Sequence, residues 1–359
     1  MTQVQLSRLT KIFDAESPPA VDRLDLDIES GKLTALLGPS GCGKTTALKM
    51  IAGLLRPTSG DILFDGDSIL STKPEERGAV MVFQNYLLFP YMNIADNIGF
   101  GLKMRKVGRQ EIRSRVTDML DLVQLPGFED RNPKQLSGGQ QQRIALARAL
   151  IVEPNVLLLD EPLSNLDAHL RDEMRVLIRR IQTEMGITTV FVTHDQEEAV
   201  VLADKIALLF DGRLQQFDVP DAFYETPRTR KIATFFGGTN FIPGHYRDGV
   251  ITTDIGVFQA PHSVVGEGNA MLSIRPEAVD LGVGGDNSVP GTVLSHVYGG
   301  RYARFQVRIG DVEIEAITEP GQVKLFADGD NIPVKFDPDK IWVLGPNSTG
   351  QTADAATTG

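Results

Sequence analysis

Eight residues, GPSGCGKT from Gly38 to Thr45, restrict this chain more than any others. They follow the apolar run KLTALLG and precede KTTALKMIAGL, whose apolar spacing is helical, so a glycine-rich loop joins a strand to a helix. The loop Gly38-Pro39-Ser40-Gly41-Cys42-Gly43 can wrap phosphates with backbone N–H groups, Pro39 alone lacking one. Lys44 supplies a mobile positive charge, Thr45 a hydroxyl for Mg²⁺, and Thr46 continues the helix start. Cys42 reads as a small residue whose N–H joins the loop. AVMVFQ, NVLLLDE and TTVFVTH are further apolar runs without alternation, as expected of parallel strands covered on both faces. Between them, Ile112, Val116, Met119, Leu120 and Val123 share one helical face, and Leu170, Met174, Leu177, Ile178, Ile181 and Met185 another. The pattern is an α/β core with ligands at the C-terminal ends of its strands.

Acidic residues stand where such a site needs them. NVLLLDE puts Asp160 and Glu161 at a strand end, and strand alternation would send their side chains to opposite sides. Asp160 is then the Mg²⁺ residue, and Glu161 the general base that polarises the attacking water. His194, closing TTVFVTH, could reach the terminal phosphate or serve only the fold. Gln84, closing AVMVFQ, is equally open at this point.

About seventy residues between AVMVFQ and NVLLLDE lack a convincing strand and read as an inserted helical subdomain at about 85–152. Within it, LSGGQQQRIALARAL places the N-cap residue Ser137, then Gly138, Gly139 and Gln140, at a second phosphate-like helix start that has no lysine. After about Gly237 the pattern changes to period-2 alternation: Ala303, Phe305, Val307 and Ile309, a Gly310-Asp311 turn, then Val312, Ile314 and Ala316. NIPVKFDPDKIWVL adds two strands, giving a small all-β domain of Greek-key barrel type. The boundaries expected are 1–236, 237–345 and a disordered tail at 346–359, which has almost nothing to bury.

Together these motifs resemble the nucleotide-binding subunits of ABC transporters. The Walker A loop is GPSGCGKT, the Q-loop glutamine Gln84, and the signature LSGGQ, Leu136 to Gln140. Walker B is VLLLD followed by Glu161, the D-loop is SNLD, ending at Asp167, and the switch histidine is His194. The resemblance covers roughly the first 235 residues. It implies a P-loop NTPase fold of the ABC ATPase type, followed by an OB-like (TOBE) domain marked by SIRPEAVDL. It also implies ATP and Mg²⁺ as ligands, with Gln84 near the metal and the attacking water, and Phe13 stacking on adenine unless it is a core residue. In that family two chains pack head to tail, and each ATP lies between the phosphate loop of one and the signature of the other. Ser137 to Gln140 and Asp167 would therefore serve the partner's nucleotide, which accounts for a second glycine-rich helix start without a lysine.

The resemblance further implies a homodimer beneath two integral membrane permease subunits, fed by an extracytoplasmic solute-binding protein. QNYLLFPYMNIADNIGF would receive a helix of the membrane subunit or form subdomain core. FFGGTNFIPG is closer to polyamine, ferric-ion or phosphonate systems than to sugar systems. Composition agrees. With 359 residues, two domains are expected, and a net charge of −11 argues against a nucleic-acid partner. The single cysteine excludes an internal disulfide. MTQVQLSRLTKIFD lacks the features of a signal peptide, and no apolar run is long enough to span a membrane, so a peripheral position on the cytoplasmic face of the inner membrane is expected. A nucleic-acid or ribosome-directed ABC ATPase is the alternative; a P-loop kinase would leave LSGGQ without a role.

Overall fold

The computed structural model describes residues 2–346. The chain divides into two compact units, the first ending at Pro220 and the second beginning at Asp221.

In the first unit, β1 (Val4–Lys11), β2 (Val21–Ile28), β3 (Leu33–Leu37) and α1 (Lys44–Ile51) are followed by β4 (Ser59–Phe64), β5 (Asp67–Ser68) and β6 (Ala79–Val82). Three helices come next, α2 (Ile94–Met104), α3 (Arg109–Leu122) and α4 (Gly138–Leu150). The unit ends with β7 (Val156–Asp160), α5 (Ala168–Met185), β8 (Thr188–Thr193), α6 (Gln196–Leu202), β9 (Lys205–Phe210) and β10 (Arg213–Asp218). The main sheet has the order β10-β9-β3-β8-β7-β6, parallel except for β10. Every residue of β3, β7 and β8 is buried, which is why these runs show no alternation. A second, antiparallel sheet, β2-β1-β4-β5, has no counterpart in the sequence reading. Its inward residues Val4, Leu6, Leu9, Leu24, Leu26 and Ile28 share one apolar cluster with Ala47, Leu48, Met50 and Ile51 of α1. This cluster clamps α1, and the loop before it, against both sheets.

The loop's backbone depends on glycine at two points. Gly43 has φ 98°, and a Cβ there would lie 2.2 Å from the Ala20 carbonyl oxygen. Gly38 has φ 150°, and its Cβ would lie 2.2 Å from the Leu209 oxygen. Gly43→Ala should lower unfolding stability by about 2–4 kcal/mol, combining left-handed strain with overpacking against backbone. At Gly41 (φ 82°) a Cβ meets nothing within 4 Å. Gly41→Ala should therefore cost only the strain, about 1–2 kcal/mol. Urea midpoints of the two variants check the difference, and equal midpoints would contradict it.

Two details of the expected strands change. AVMVFQ forms a strand only to Val82, so Gln84 lies in the turn beyond it. NVLLLDE ends at Asp160, and Glu161 has φ 46°, so strand alternation does not orient its side chain.

The second unit begins earlier than the texture change at Gly237. Helices Ala222–Glu225 and Arg230–Phe235 belong to it. The Phe223 and Phe236 rings pack with centroids 5.0 Å apart. Arg275 donates to the carbonyls of Phe223 (3.1 Å), Tyr224 (3.2 Å) and Phe236. Beyond these helices the unit is β-rich, with strands in two sheets about one apolar core that includes Ile242, Leu272, Phe305 and Phe336. The Ala303–Ile309 and Val312–Thr318 hairpin pairs Ile309 with Val312 across Gly310 at φ 57°, as its alternation implies. Apart from Pro346, the tail expected at 346–359 lies outside the described residues.

Candidate nucleotide site

Helix α1 has Gly43 at its N-cap, with no side-chain cap and no acidic residue in its first turn. Its free N–H groups and positive dipole end are open to an anion. Pro39, Ser40 and Gly41 form an exposed rim above them. Lys44 is only 5% exposed, and its Nζ donates to the carbonyls of Gly38 (2.7 Å) and Pro39 (2.8 Å). The ammonium thus lies inside the loop, held by its own backbone, and a phosphate within the rim can draw it away. Cys42 is buried, with its N–H donating to the Pro39 carbonyl at 3.4 Å. Burial pushes the thiol above its ordinary range, so it is a packing residue under the loop rather than a reactive one. Thr46 follows on α1, half-buried.

Thr45 Oγ1 donates to Asp160 Oδ1 at 2.7 Å, joining α1 to the end of β7. Burial raises the Asp160 carboxyl above its usual range, partly offset by the Thr45 hydrogen bond. A buried carboxylate beside a hydroxyl is the oxygen-rich donor set a hard divalent cation takes when phosphates complete its shell. Among the described residues, no group of three or more His, Cys, Asp or Glu side chains is placed to hold a metal ion. A cation here would therefore rely on Thr45, Asp160 and phosphate oxygens.

Glu161 sits in a second cluster. Its carboxylate accepts from Gln84 Nε2 at 3.3 Å and lies 3.4 Å from His194 Nδ1. Asp160 and Glu161, though adjacent, thus have separate partners. Ser164 and Asn165 complete the cluster, and sequence reasoning gave them no role. Gln84 Nε2 also donates to Ser164 Oγ at 3.1 Å, and Asn165 Nδ2 donates to the Gln84 carbonyl at 3.0 Å. Both lie in SNLD, whose position after the strand-end carboxylates was the available signal.

Other candidates are not gathered here. Ser137 caps α4, accepting from Gln140 N at 3.3 Å, while Gln140 Oε1 accepts from Ser137 N at 3.1 Å. Ser137 and Gly138 are exposed, and a Cβ on Gly138 would meet nothing within 4 Å. Among the described residues, no hydrogen bond or ion pair links Ser137, Gly138, Gly139 or Gln140 to the Gly38–Thr45 loop. Asp167 caps α5, accepting from Leu170 N at 3.0 Å. Phe13 lies beyond β1, 66% exposed, with Lys11 Nζ 5.3 Å from its ring centroid. It is an exposed aromatic ring rather than a core residue.

A phosphate loop feeding an uncapped helix, with two diverging carboxylates at a neighbouring strand end, defines a P-loop nucleoside triphosphatase. The comparisons narrow this. The family model described as ABC transporter matches residues 21–164, and the TOBE domain model matches 272–344. The spermidine/putrescine import ATP-binding protein of Pseudomonas aeruginosa is 47% identical over 345 residues, covering 91% of this chain and 93% of that protein. The Fe(3+) ions import ATP-binding protein of Escherichia coli K12 is 44% identical over 302 residues, covering 83% and 85%. Among solved structures, a dimeric ATP-binding cassette bound to ADP and Pi aligns with TM-score 0.55 at 31% identity, covering 60% of this chain and 98% of that one. The cbiO1 protein of Clostridium perfringens, part of the transporter complex cbiONQ, aligns with TM-score 0.58 at 32% identity, covering 64% and 94%. The chain belongs to the ATP-binding subunits of ABC importers, and it is an ATP-hydrolysing transport subunit with a C-terminal TOBE domain.

Proposed function

We propose that two copies of this chain bind two ATP molecules at shared sites and couple their hydrolysis to uptake of a cationic solute through separate membrane subunits. The observation that carries this reading is that, among the described residues, no hydrogen bond or ion pair joins the signature to its own phosphate loop. Ser137 is exposed, and its hydroxyl, already accepting from Gln140 N, keeps a proton to donate. With the α4 N-terminus behind it, it is a finished anion contact with no anion of its own chain to meet. Head-to-tail pairing brings it to the partner's terminal phosphate and repeats the arrangement by symmetry.

Within each site, Lys44 and the loop N–H groups hold the phosphates, and Phe13 stacks on the base. Thr45 and Asp160 would hold Mg²⁺, with Gln84 as a further candidate, and the ion would neutralise phosphate charge. Glu161 accepts the proton of the attacking water, and His194, 3.4 Å from it, faces the terminal phosphate. Asp167 completes the partner's side.

The solute reading rests on the polyamine and ferric-ion relatives, since no residue of an ATP-binding subunit need touch solute. Delivery by an extracytoplasmic binding protein belongs to the same proposal. Among the described residues no helix is long and apolar enough to cross a membrane. In this reading the chain sits at the cytoplasmic face of the inner membrane, held by two permease subunits. Tyr91 is 99% and Leu87 55% exposed, while Ile94, Ile98 and Leu102 are core, so Tyr91 and Leu87 are the residues that meet a membrane-subunit helix.

Ser137→Arg tests the shared site. Its guanidinium should block closure sterically while the chain's own loop stays whole. ATP-dependent dimerisation in gel filtration should be lost, with monomer affinity for a fluorescent ATP analogue unchanged within about twofold, roughly 0.4 kcal/mol. Loss of both together would count against it.

A further inference from the structure

The stretch Gln84 to Leu87 is fastened at both ends. At its start, Asn165 holds the Gln84 carbonyl, and the Gln84 amide contacts Glu161 and Ser164. At its far end, Arg148 Nη2 donates to the Tyr86 carbonyl and Nη1 to the Leu87 carbonyl, both at 2.9 Å. Tyr86 and Leu87 have φ 57° and 46°, a left-handed pair without glycine that persists only when its surroundings hold it. The same guanidinium lies 5.1 Å from the Phe89 ring centroid, and Phe89 is itself pinned by Asn97 at 2.7 Å. Arg148 belongs to α4, the helix that begins at Ser137.

We propose that Arg148 is a positioning residue that makes the Gln84 segment and the signature helix move as one body. The nucleotide state sensed beside Glu161 would then set where Ser137 is offered to the partner chain. Two charge-assisted bonds from one planar fork to adjacent carbonyls fix orientation as well as distance. The rigid helix carries that orientation from Arg148 back to Ser137, a rise of roughly 16 Å. A lysine would keep one contact and lose the fork. The proposal rests on the shared-site reading above.

The test compares Arg148→Met and Arg148→Lys in the full chain, by steady-state ATPase, fluorescent ATP-analogue titration and melting temperature. For Arg148→Met the expected result is a kcat lower by about tenfold or more, the size of effect that small misplacement of a reacting group produces. KM and analogue affinity should stay within about twofold, and Arg148→Lys should recover part of the kcat. A kcat equal to that of the unchanged chain would overturn the proposal. So would a joint fall of kcat, nucleotide affinity and melting temperature, the mark of a merely structural role. In the Glu161→Gln background, Arg148→Met should also weaken ATP-dependent dimerisation, and equal dimerisation overturns the proposal. If Glu161→Gln alone forms no ATP-dependent dimer, the shared site fails first and takes this proposal with it.

Discussion

Glu161→Gln is expected to slow ATP hydrolysis by roughly 10²–10⁴-fold, the usual cost of losing a positioned general base, while ATP binding survives. The glutamine keeps the side chain's size, so the packing around the φ 46° turn is preserved. It keeps an acceptor for Gln84 Nε2, now 3.3 Å away, but cannot take a proton from water. Asp160, Thr45 and Lys44 lie in the other cluster and are untouched, so the nucleotide should still be held. The variant should accumulate as an ATP-bound dimer in gel filtration. Turnover near that of the unchanged chain would remove Glu161 from the base role and leave His194 as the nearest candidate.

Lys44→Ala should fail earlier, at binding. Its ammonium is the mobile cation of the loop, now resting on the Gly38 and Pro39 carbonyls. A hydrogen bond to a charged group contributes about 1.5–3 kcal/mol, so affinity for a fluorescent ATP analogue should fall on the order of 10- to 150-fold. The loop itself should persist, because the Gly43 geometry and the apolar cluster beneath Cys42 do not depend on the ammonium. A melting temperature near that of the unchanged chain, together with the weakened binding, is therefore the expected pair. Unchanged affinity would exclude Lys44 as a phosphate contact.

The residues legible in the sequence are those whose chemistry is local. The phosphate loop lies within eight residues between a strand and a helix, and Asp160 and Glu161 adjoin the apolar run that places them. The antiparallel sheet was not legible because its pairing is distant: Val4 lies opposite both Ile28 and Phe64. Arg148 is set by contacts 61 and 62 residues away, which no local pattern encodes. The compact unit that begins at Asp221 is not marked by the glycine-rich texture at Gly237, which follows two short helices whose fixing residue, Arg275, lies far down the chain. Asp167 had a readable second role. An aspartate just before an amphipathic run is a helix N-cap, and it caps α5.

The central claim is that each ATP lies between Lys44 of one chain and Ser137 of the other. Differently tagged chains carrying Ser137→Arg and Lys44→Ala, both in the Glu161→Gln background, should be mixed and the mixed dimers purified with ATP. In the shared arrangement one site then holds both lesions and the other holds neither, so one occluded ATP per mixed dimer is predicted. If both residues served the nucleotide of their own chain, every site would carry one lesion. No occluded ATP, with each variant well folded, would contradict the account.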